Sequence, residues 1–188
     1  MRKLISFMVV TLDGYYEGPN GEFDFDWSNV DDEFNEFAIS QLNDIDTLVF
    51  GRVTSEGMAS YWPTPEAREG DPAIADRMNT VPKVVLSTTL DKADGQNTTL
   101  VKGDVADAIS ELKQQPGRYL AIFGSPSLTV SLLEQGLVDE LRVMVHPILL
   151  GAGKSLFRTL KDRVPVKLQW TTTFSSGNVL LSYRPAGD

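Results

Sequence analysis

The chain has no cysteine. Disulfides, thiolate nucleophiles and cysteine-held zinc or iron–sulfur centres are therefore excluded. It has one histidine, His146. With no second imidazole and no tight cluster of carboxylates, a transition-metal centre is not expected. Long hydrophobic runs are also lacking. None approaches the roughly 20 residues that span a bilayer, so no membrane contact is expected. Positive charge is scarce: 17 Lys and Arg stand against 26 Asp and Glu, a formal net charge of −9. Such a chain repels phosphate backbones, and nucleic acid is not an expected partner. An anionic ligand would need a local site to collect it. Met1-Arg2-Lys3 followed by Leu4 to Val10 superficially mimics a signal peptide. The apolar stretch runs into Thr11-Leu12-Asp13-Gly14 with no small-x-small cleavage site, so it reads as a buried strand. The expected localisation is cytoplasmic.

What is present suits one domain over residues 1–188. A chain of 188 residues buries roughly 70% of its unfolded surface and needs no staple. Leu4 to Thr11 is nearly all apolar and rich in β-branched residues, the mark of a strand covered on both faces. Gly18 to Asp26 reads as a surface loop. Phe34, Phe37, Ala38 and Leu42 fall on one helical face, with Asp31 and Asp32 at its positive end. Thr47 to Phe50 reads as a strand, and Thr54 to Ala59 starts a helix. Residues 61–72 hold three prolines and are expected to be irregular. A short helix over Ala73 to Met78 and a strand over Val81 to Leu86 follow. Thr98 to Val101 is a weaker strand. Val105, Ala108, Ile109 and Leu112 make a helical stripe behind a capping Asp104. Tyr119 to Phe123 is a strand. The next helix carries Leu128, Leu132 and Leu133 and stops at Gly136. Val138 to Leu149 is apolar up to Pro147, and Gly151-Ala152-Gly153 makes a loop. Val166 to Phe174 and Val179 to Tyr183 flank Ser176-Gly177-Asn178 as a hairpin. Strand and helix alternate, then antiparallel strands close the chain. This predicts an α/β fold: a mostly parallel sheet, helices on both faces, and an antiparallel C-terminal hairpin at the edge.

In such sheets ligands bind beyond the carboxyl ends of the strands. Three strand ends are suggestive. Gly51-Arg52-Val53-Thr54 offers a glycine, a following helix N-terminus and a cation, all suited to phosphate. Each feature alone is equally an ordinary turn. Ser87-Thr88-Thr89 offers hydroxyls for a ribose or its 2′-phosphate, or for capping the loop. Gly124-Ser125-Pro126-Ser127 is a small-residue turn suited to a pyrophosphate, though it lacks the full G-x-G-x-x-G pattern. Gly151-Ala152-Gly153-Lys154-Ser155 fails as a P-loop, because Ile148 stands where a glycine is needed. Asp13, Asp32 and Glu33 are the candidate proton donors or ligand anchors, with helix capping the competing role for Asp32. His146, in an apolar strand before Pro147, reads as structural. Trp27, Tyr61 and Trp62 suit either a flat-ring pocket or the core.

Several motifs in order resemble a known family. Thr11-Leu12-Asp13-Gly14 matches its S-L-D-G signature, and Val49 to Thr54 its strand plus G-R-x-T turn. Leu132-Leu133 with Gly136-Leu137-Val138-Asp139-Glu140-Leu141 matches L-L-x-x-G-L-V-D-E-L. Pro147 to Gly153 with Leu156-Phe157 matches P-x-L-L-G-x-G-x-x-L-F. The chain is similar, over almost its whole length, to the reductase domain of the bifunctional riboflavin-biosynthesis deaminase-reductase and its stand-alone relatives. The resemblance implies a dihydrofolate reductase-like fold and NADPH as hydride donor. It places the phosphates at Gly51 to Thr54 and Gly124 to Ser127, with Ser87 and Thr88 toward the adenosine end. It places substrate near Asp13 and the region from Trp27 to Phe37, and it implies a homodimer, for which Val138 to Leu150 is the expected contact. Ser125 departs from the family's second glycine. The zinc deaminase half and the Asp-Asp-Pro substrate motif are absent, with Gly70-Asp71-Pro72 a partial echo. The expected function is reduction of a small heterocycle, by resemblance 5-amino-6-(5-phosphoribosylamino)uracil. The alternatives are a pterin or dihydrofolate-type reductase and a non-catalytic nucleotide-binding protein of the same fold.

Overall fold

A computed structural model describes residues 1–20 and 23–186. Gly21 and Glu22, inside the stretch read as a surface loop, lie outside the described residues. The chain begins in the middle of its own sheet. β1 (Lys3–Thr11) pairs in parallel with β6 (Tyr119–Phe123) on one side and β7 (Glu140–His146) on the other. Beyond β6 lie β3 (Ile45–Gly51), β4 (Lys83–Leu86) and β5 (Thr98–Val101), all parallel. Beyond β7 lie β10 (Val179–Pro185) and β9 (Val166–Thr173), both antiparallel. The eight-stranded order is β5-β4-β3-β6-β1-β7-β10-β9. The expected parallel sheet with an antiparallel edge hairpin is thus observed.

Two apolar layers explain why β1 reads as a continuous run. Leu4, Met8 and Val10 face one cluster with Val49, Leu120 and Ile122. Onto it pack α5 (Val105–Gln114) through Ile109 and α6 (Pro126–Glu134) through Leu132 and Leu133. Ser6 also points there, and its hydroxyl meets Thr129 of α6 at 2.8 Å. The other face carries Leu48, Phe50 and Ala121. It is covered by Leu42 of α1 (Asp32–Asp44) and by Ile74 and Met78 of α4 (Pro72–Thr80). Fully buried side chains such as Ile109 and Leu132 each contribute about 1.5–3 kcal/mol through burial. α6 stops where Gly136 takes φ +68° and its amide bonds Leu133 O; that left-handed turn favours glycine.

The prolines between 61 and 72 correct the expectation of irregular chain. Pro65 opens α3 (Pro65–Gly70) behind a Thr64 cap that accepts the Ala67 amide. Pro72 likewise opens α4, after Asp71 and without a side-chain cap bond. At a first helical position proline loses nothing, because its missing N–H would have no partner. α2 (Arg52–Tyr61) begins two residues before the expected Thr54. β4 begins at Lys83, two residues after the expected Val81. A two-stranded ribbon was not foreseen: β2 (Tyr15–Glu17) pairs with β8 (Lys154–Ser155). Buried Glu17 pairs with Lys154 across it, so the lysine of the failed P-loop motif ties two turns together. No helix among the described residues is long and apolar enough to cross a membrane.

Candidate functional site

The carboxyl ends of β3, β6, β1 and β7 open on one edge of the sheet. Two of the three suggestive turns meet there. The Gly51 amide donates to Ser125 Oγ at 3.0 Å, and the Ser125 amide donates to Thr54 Oγ1 at 3.0 Å. The turn after β3 and the turn after β6 therefore grip each other. Gly124 takes φ +68° and Ser125 φ +51°, both left-handed. Ser125 stands where the resembled family has glycine, and its side chain is used to hold Gly51. Its strained backbone costs on the order of 1–2 kcal/mol, offset by these two bonds.

The interlock sets two helix N-termini side by side. α2 starts from Gly51 and α6 from Ser125, and neither has a side-chain cap. Their first-turn amides and positive dipole ends lie at this edge of the sheet with no side-chain cap among the described residues. A Cβ on Gly51 would meet nothing nearer than Ser125 Oγ at 3.8 Å, so the front of this turn is open. Pro126 supplies no amide, and Ser127 begins the donors of α6.

The third turn does less than its sequence offers. Ser87 Oγ accepts the amides of Thr89 and Leu90, both at 3.2 Å, which is loop capping. Thr88 is exposed beside it. A groove of about 280 Å³ runs between α2 and the chain after this turn. Ser55, Glu56, Ala59 and Ser60 form one wall and Leu90, Lys92, Ala93 and Asp94 the other. Leu90 to Asp94 were not foreseen, since only their position opposite α2 gives them meaning. Arg52 is half-exposed and pairs with Glu56 at 3.2 Å, and Val53 is exposed.

The carboxylates are occupied. Asp13 accepts the Gly151 amide at 2.8 Å and the Leu150 amide at 3.1 Å. The Thr11 hydroxyl, then the Gly151 amide, hold its carboxyl below the ordinary range. The α1 cap is Asp31, which accepts the Phe34 amide at 2.8 Å. That amide, then Ser176, lower its proton affinity. Asp32 lies exposed in the first turn of α1, and Glu33 Oε2 accepts the Ser175 amide of the β9–β10 turn at 2.8 Å. Phe37 packs on Phe7 and Phe174, with ring centroids 5.9 and 6.1 Å away. Tyr61 and Trp62 meet edge to face at the end of α2, with ring centroids 5.0 Å apart, apart from Trp27.

Residues 23–31 cross from the α2 side to the β7 side. A Cβ on Gly57 of α2 would collide with the Phe23 ring. Phe23, Phe25 and Trp27 then follow one another at 6.3 and 6.4 Å. Trp27 stands edge-on to His146 at 5.5 Å. His146 is 1% exposed, and its Nδ1 accepts the Asn29 amide at 3.0 Å. Burial lowers its proton affinity, and Asp31 acts in the opposite sense.

Residues 2–181 match the RibD C-terminal domain. The chain belongs to this family. The RibD C-terminal match covers both interlocked turns and His146. Among relatives, the chain is 35% identical over 182 residues to the uncharacterized protein YyaP of Bacillus subtilis, covering 97% of this chain and 94% of that one. Among solved structures, a putative riboflavin biosynthesis protein from Shewanella sp. PV-4 is 26% identical with a TM-score of 0.75, covering 98% and 99% of the two chains. Enterococcus faecalis dihydrofolate reductase, solved with NADP(H), is 18% identical with a TM-score of 0.65, covering 98% and 97%. That last likeness shows the fold, and the dihydrofolate reductase-like architecture stands.

Proposed function

We propose that the protein is an NADPH-dependent oxidoreductase that reduces a small heterocycle. The observation that carries the reading is the interlock of Gly51–Thr54 with Gly124–Ser127, which presents two uncapped helix N-termini at adjacent strand ends. Paired helix N-termini suit a pyrophosphate. In a chain of net charge −9, fixed amides and dipoles collect the anion where cations are few. The amides of Arg52, Val53, Thr54 and Ser127 would hold the phosphates. The Ser87–Thr88 end and the groove along α2 would take the adenosine half. The reduced nicotinamide, when bound, supplies the hydride.

The remaining residues position and exclude. Asp13, kept ionised by its hydrogen bonds, fixes the turn after β1 against residues 150–151. Trp27 and Phe37 are proposed to wall the substrate site, and the first turn of α1, with Asp32 and Glu33, to bear its proton path. Membership of the RibD C-terminal family makes 5-amino-6-(5-phosphoribosylamino)uracil the first substrate to test. A second reading is a nucleotide-binding protein without turnover. It is favoured by the carboxylates of Asp13, Asp31 and Glu33 all being engaged with backbone amides. Loss of reduced-nicotinamide absorbance with that pyrimidine, or with a pterin, supports the enzyme. Binding of NADPH with no oxidation by either supports the second reading.

We also propose a homodimer. β7 is enclosed between β1 and β10, so the contact shifts from the expected Val138–Leu150 stretch to its exposed end at Leu149 and to the β9 edge. Val166, Leu168 and Trp170 are exposed on β9, and an edge strand that pairs on one side only and exposes apolar side chains invites a second strand. Sedimentation at micromolar concentration should show twice the 20.7 kDa chain mass; a single 20.7 kDa species would refute this.

A further inference from the structure

Five buried side-chain polar atoms among the described residues lack a hydrogen-bond partner, and three of them lie together: His146 Nε2, Ser176 Oγ and Asn178 Oδ1. Asn29 joins all three residues. Its amide donates to His146 Nδ1 at 3.0 Å, its side chain donates to Ser176 O at 3.4 Å, and its carbonyl accepts from Asn178 Nδ2 at 2.8 Å. Ser176 Oγ faces Asp31 without closing a hydrogen bond of ordinary geometry. Residues 23–31 are thus held at both ends. Phe23 seats on Gly57 of α2, and Asn29 seats on His146 and the β9–β10 turn. In the sheet order, β6 and β1 lie between β3, which leads into α2, and β7, which ends at His146.

The hold at His146 depends on its protonation state. Nδ1 accepts only while it carries no proton, so the neutral ring must bear its proton on Nε2. A doubly protonated ring would turn a donor toward the Asn29 amide, which is also a donor. We propose that neutral His146 is the positioning residue that latches residues 23–31 as a strap between α2 and the end of β7, and that a second proton on the ring releases the strap. The unmet atoms around Asn29 make this latch shallow, because each buried polar atom left without a partner costs free energy.

The charged groups nearby are accounted for element by element. On α1 and its cap, Asp31 favours the protonated ring, while Glu33 is committed to the Ser175 amide and Asp32 is exposed. On the strap, Asp24 accepts the Asn20 amide and Asp26 is exposed. After β1, Asp13 is committed to residues 150–151. The β9–β10 turn brings Ser176 and Asn178, which are uncharged. Burial opposes protonation and Asp31 favours it, so release belongs below the ordinary histidine range.

A role for the strap in ligand entry rests on the NADPH reading, whereas the latch itself does not. The test uses the ligand-free full chain, whose one histidine gives a single imidazole signal in ¹⁵N NMR. At about pH 7.5 the ring should be neutral with its proton on Nε2. As the pH falls to about 4.5, exchange of the Asn29 amide, corrected for intrinsic rate, should accelerate at least about tenfold in step with the ring titration. His146→Phe should show fast exchange across the range, and His146→Gln, which cannot titrate, should abolish the step. A proton on Nδ1 at neutral pH overturns the proposal. So does Asn29 protection that is unchanged through the ring titration. If the variants do not fold, the wild-type titration alone decides. A parallel stopped-flow series with NADPH separates the two readings: absence of binding at every pH defeats the cofactor reading and leaves the exchange result standing.

Discussion

The two sides of the strand-end edge are built differently. On the β3–β6 side, Gly51, Thr54 and Ser125 satisfy each other, and a left-handed Gly124–Ser125 pair is held in place by those bonds. On the β7–β10 side, His146, Ser176 and Asn178 each leave a buried atom unmet. The first arrangement is internally satisfied, which suits the proposed cofactor, whose phosphates never change. The second can be rearranged at small cost, which suits the proposal that this side admits and releases a substrate. Rigid presentation of amides reduces what binding must spend on ordering.

The sharpest break of this contrast is Gly124→Val. The position holds φ +68° and a Cβ would lie 3.3 Å from Thr54 Cγ2. A β-branched residue there is expected to cost about 2–3 kcal/mol, read as a lower urea midpoint, and to abolish NADPH binding. Thr54→Val keeps the shape and removes the acceptor for the buried Ser125 amide. It is expected to cost about 1–3 kcal/mol and to weaken NADPH about tenfold. On the other side, Asn178→Ala removes one bond and one unmet atom together, so its cost in urea unfolding should stay below about 1 kcal/mol.

Acid should also strike the second side first. The fold holds His146 neutral by burial, so the unfolded chain binds more protons below its ordinary value of about 6.5. Stability should therefore fall as pH drops through that value, until the folded protein's own lower titration point is passed. Asp13 and Asp31, whose carboxyls are held low, add a further loss in strong acid. Their bonds are fully present above about pH 4 and vanish as pH falls through the lowered values. Thermal unfolding followed across pH, with His146→Phe as the comparison, separates the two phases. The smallest effect is expected at Arg52. Its half-exposed guanidinium is already paired with Glu56, so Arg52→Ala should weaken NADPH only two- to fivefold, about 0.5–1 kcal/mol, with stability unchanged.

The sequence carried the layers of the fold well, and the reason is visible in particular elements. β1, β6 and the C-terminal hairpin are legible because continuous or alternating apolar residues can sit only one way in such a sheet. α3 is hard to see in the sequence because Pro65 and Pro72 look like breakers, whereas each stands first in a helix. β2 and β8 are three and two residues long, too short for any period to show. The site was legible as separate turns. Its joinery was not, because Ser125 and Thr54 lie 71 residues apart and the bond between them exists only once β3 and β6 are neighbours. His146 reads as a core residue until Asn29, 117 residues away, is brought to its ring.

The most direct test of the central claim is calorimetric titration of wild-type protein and Thr54→Val with NADPH, with NADH in parallel. The account requires micromolar binding of NADPH to wild type and about tenfold weaker binding to the variant. Wild-type protein that binds neither nucleotide, or a Thr54→Val protein that is folded and binds NADPH as tightly as wild type, would contradict the claim that the interlocked turns form the cofactor site.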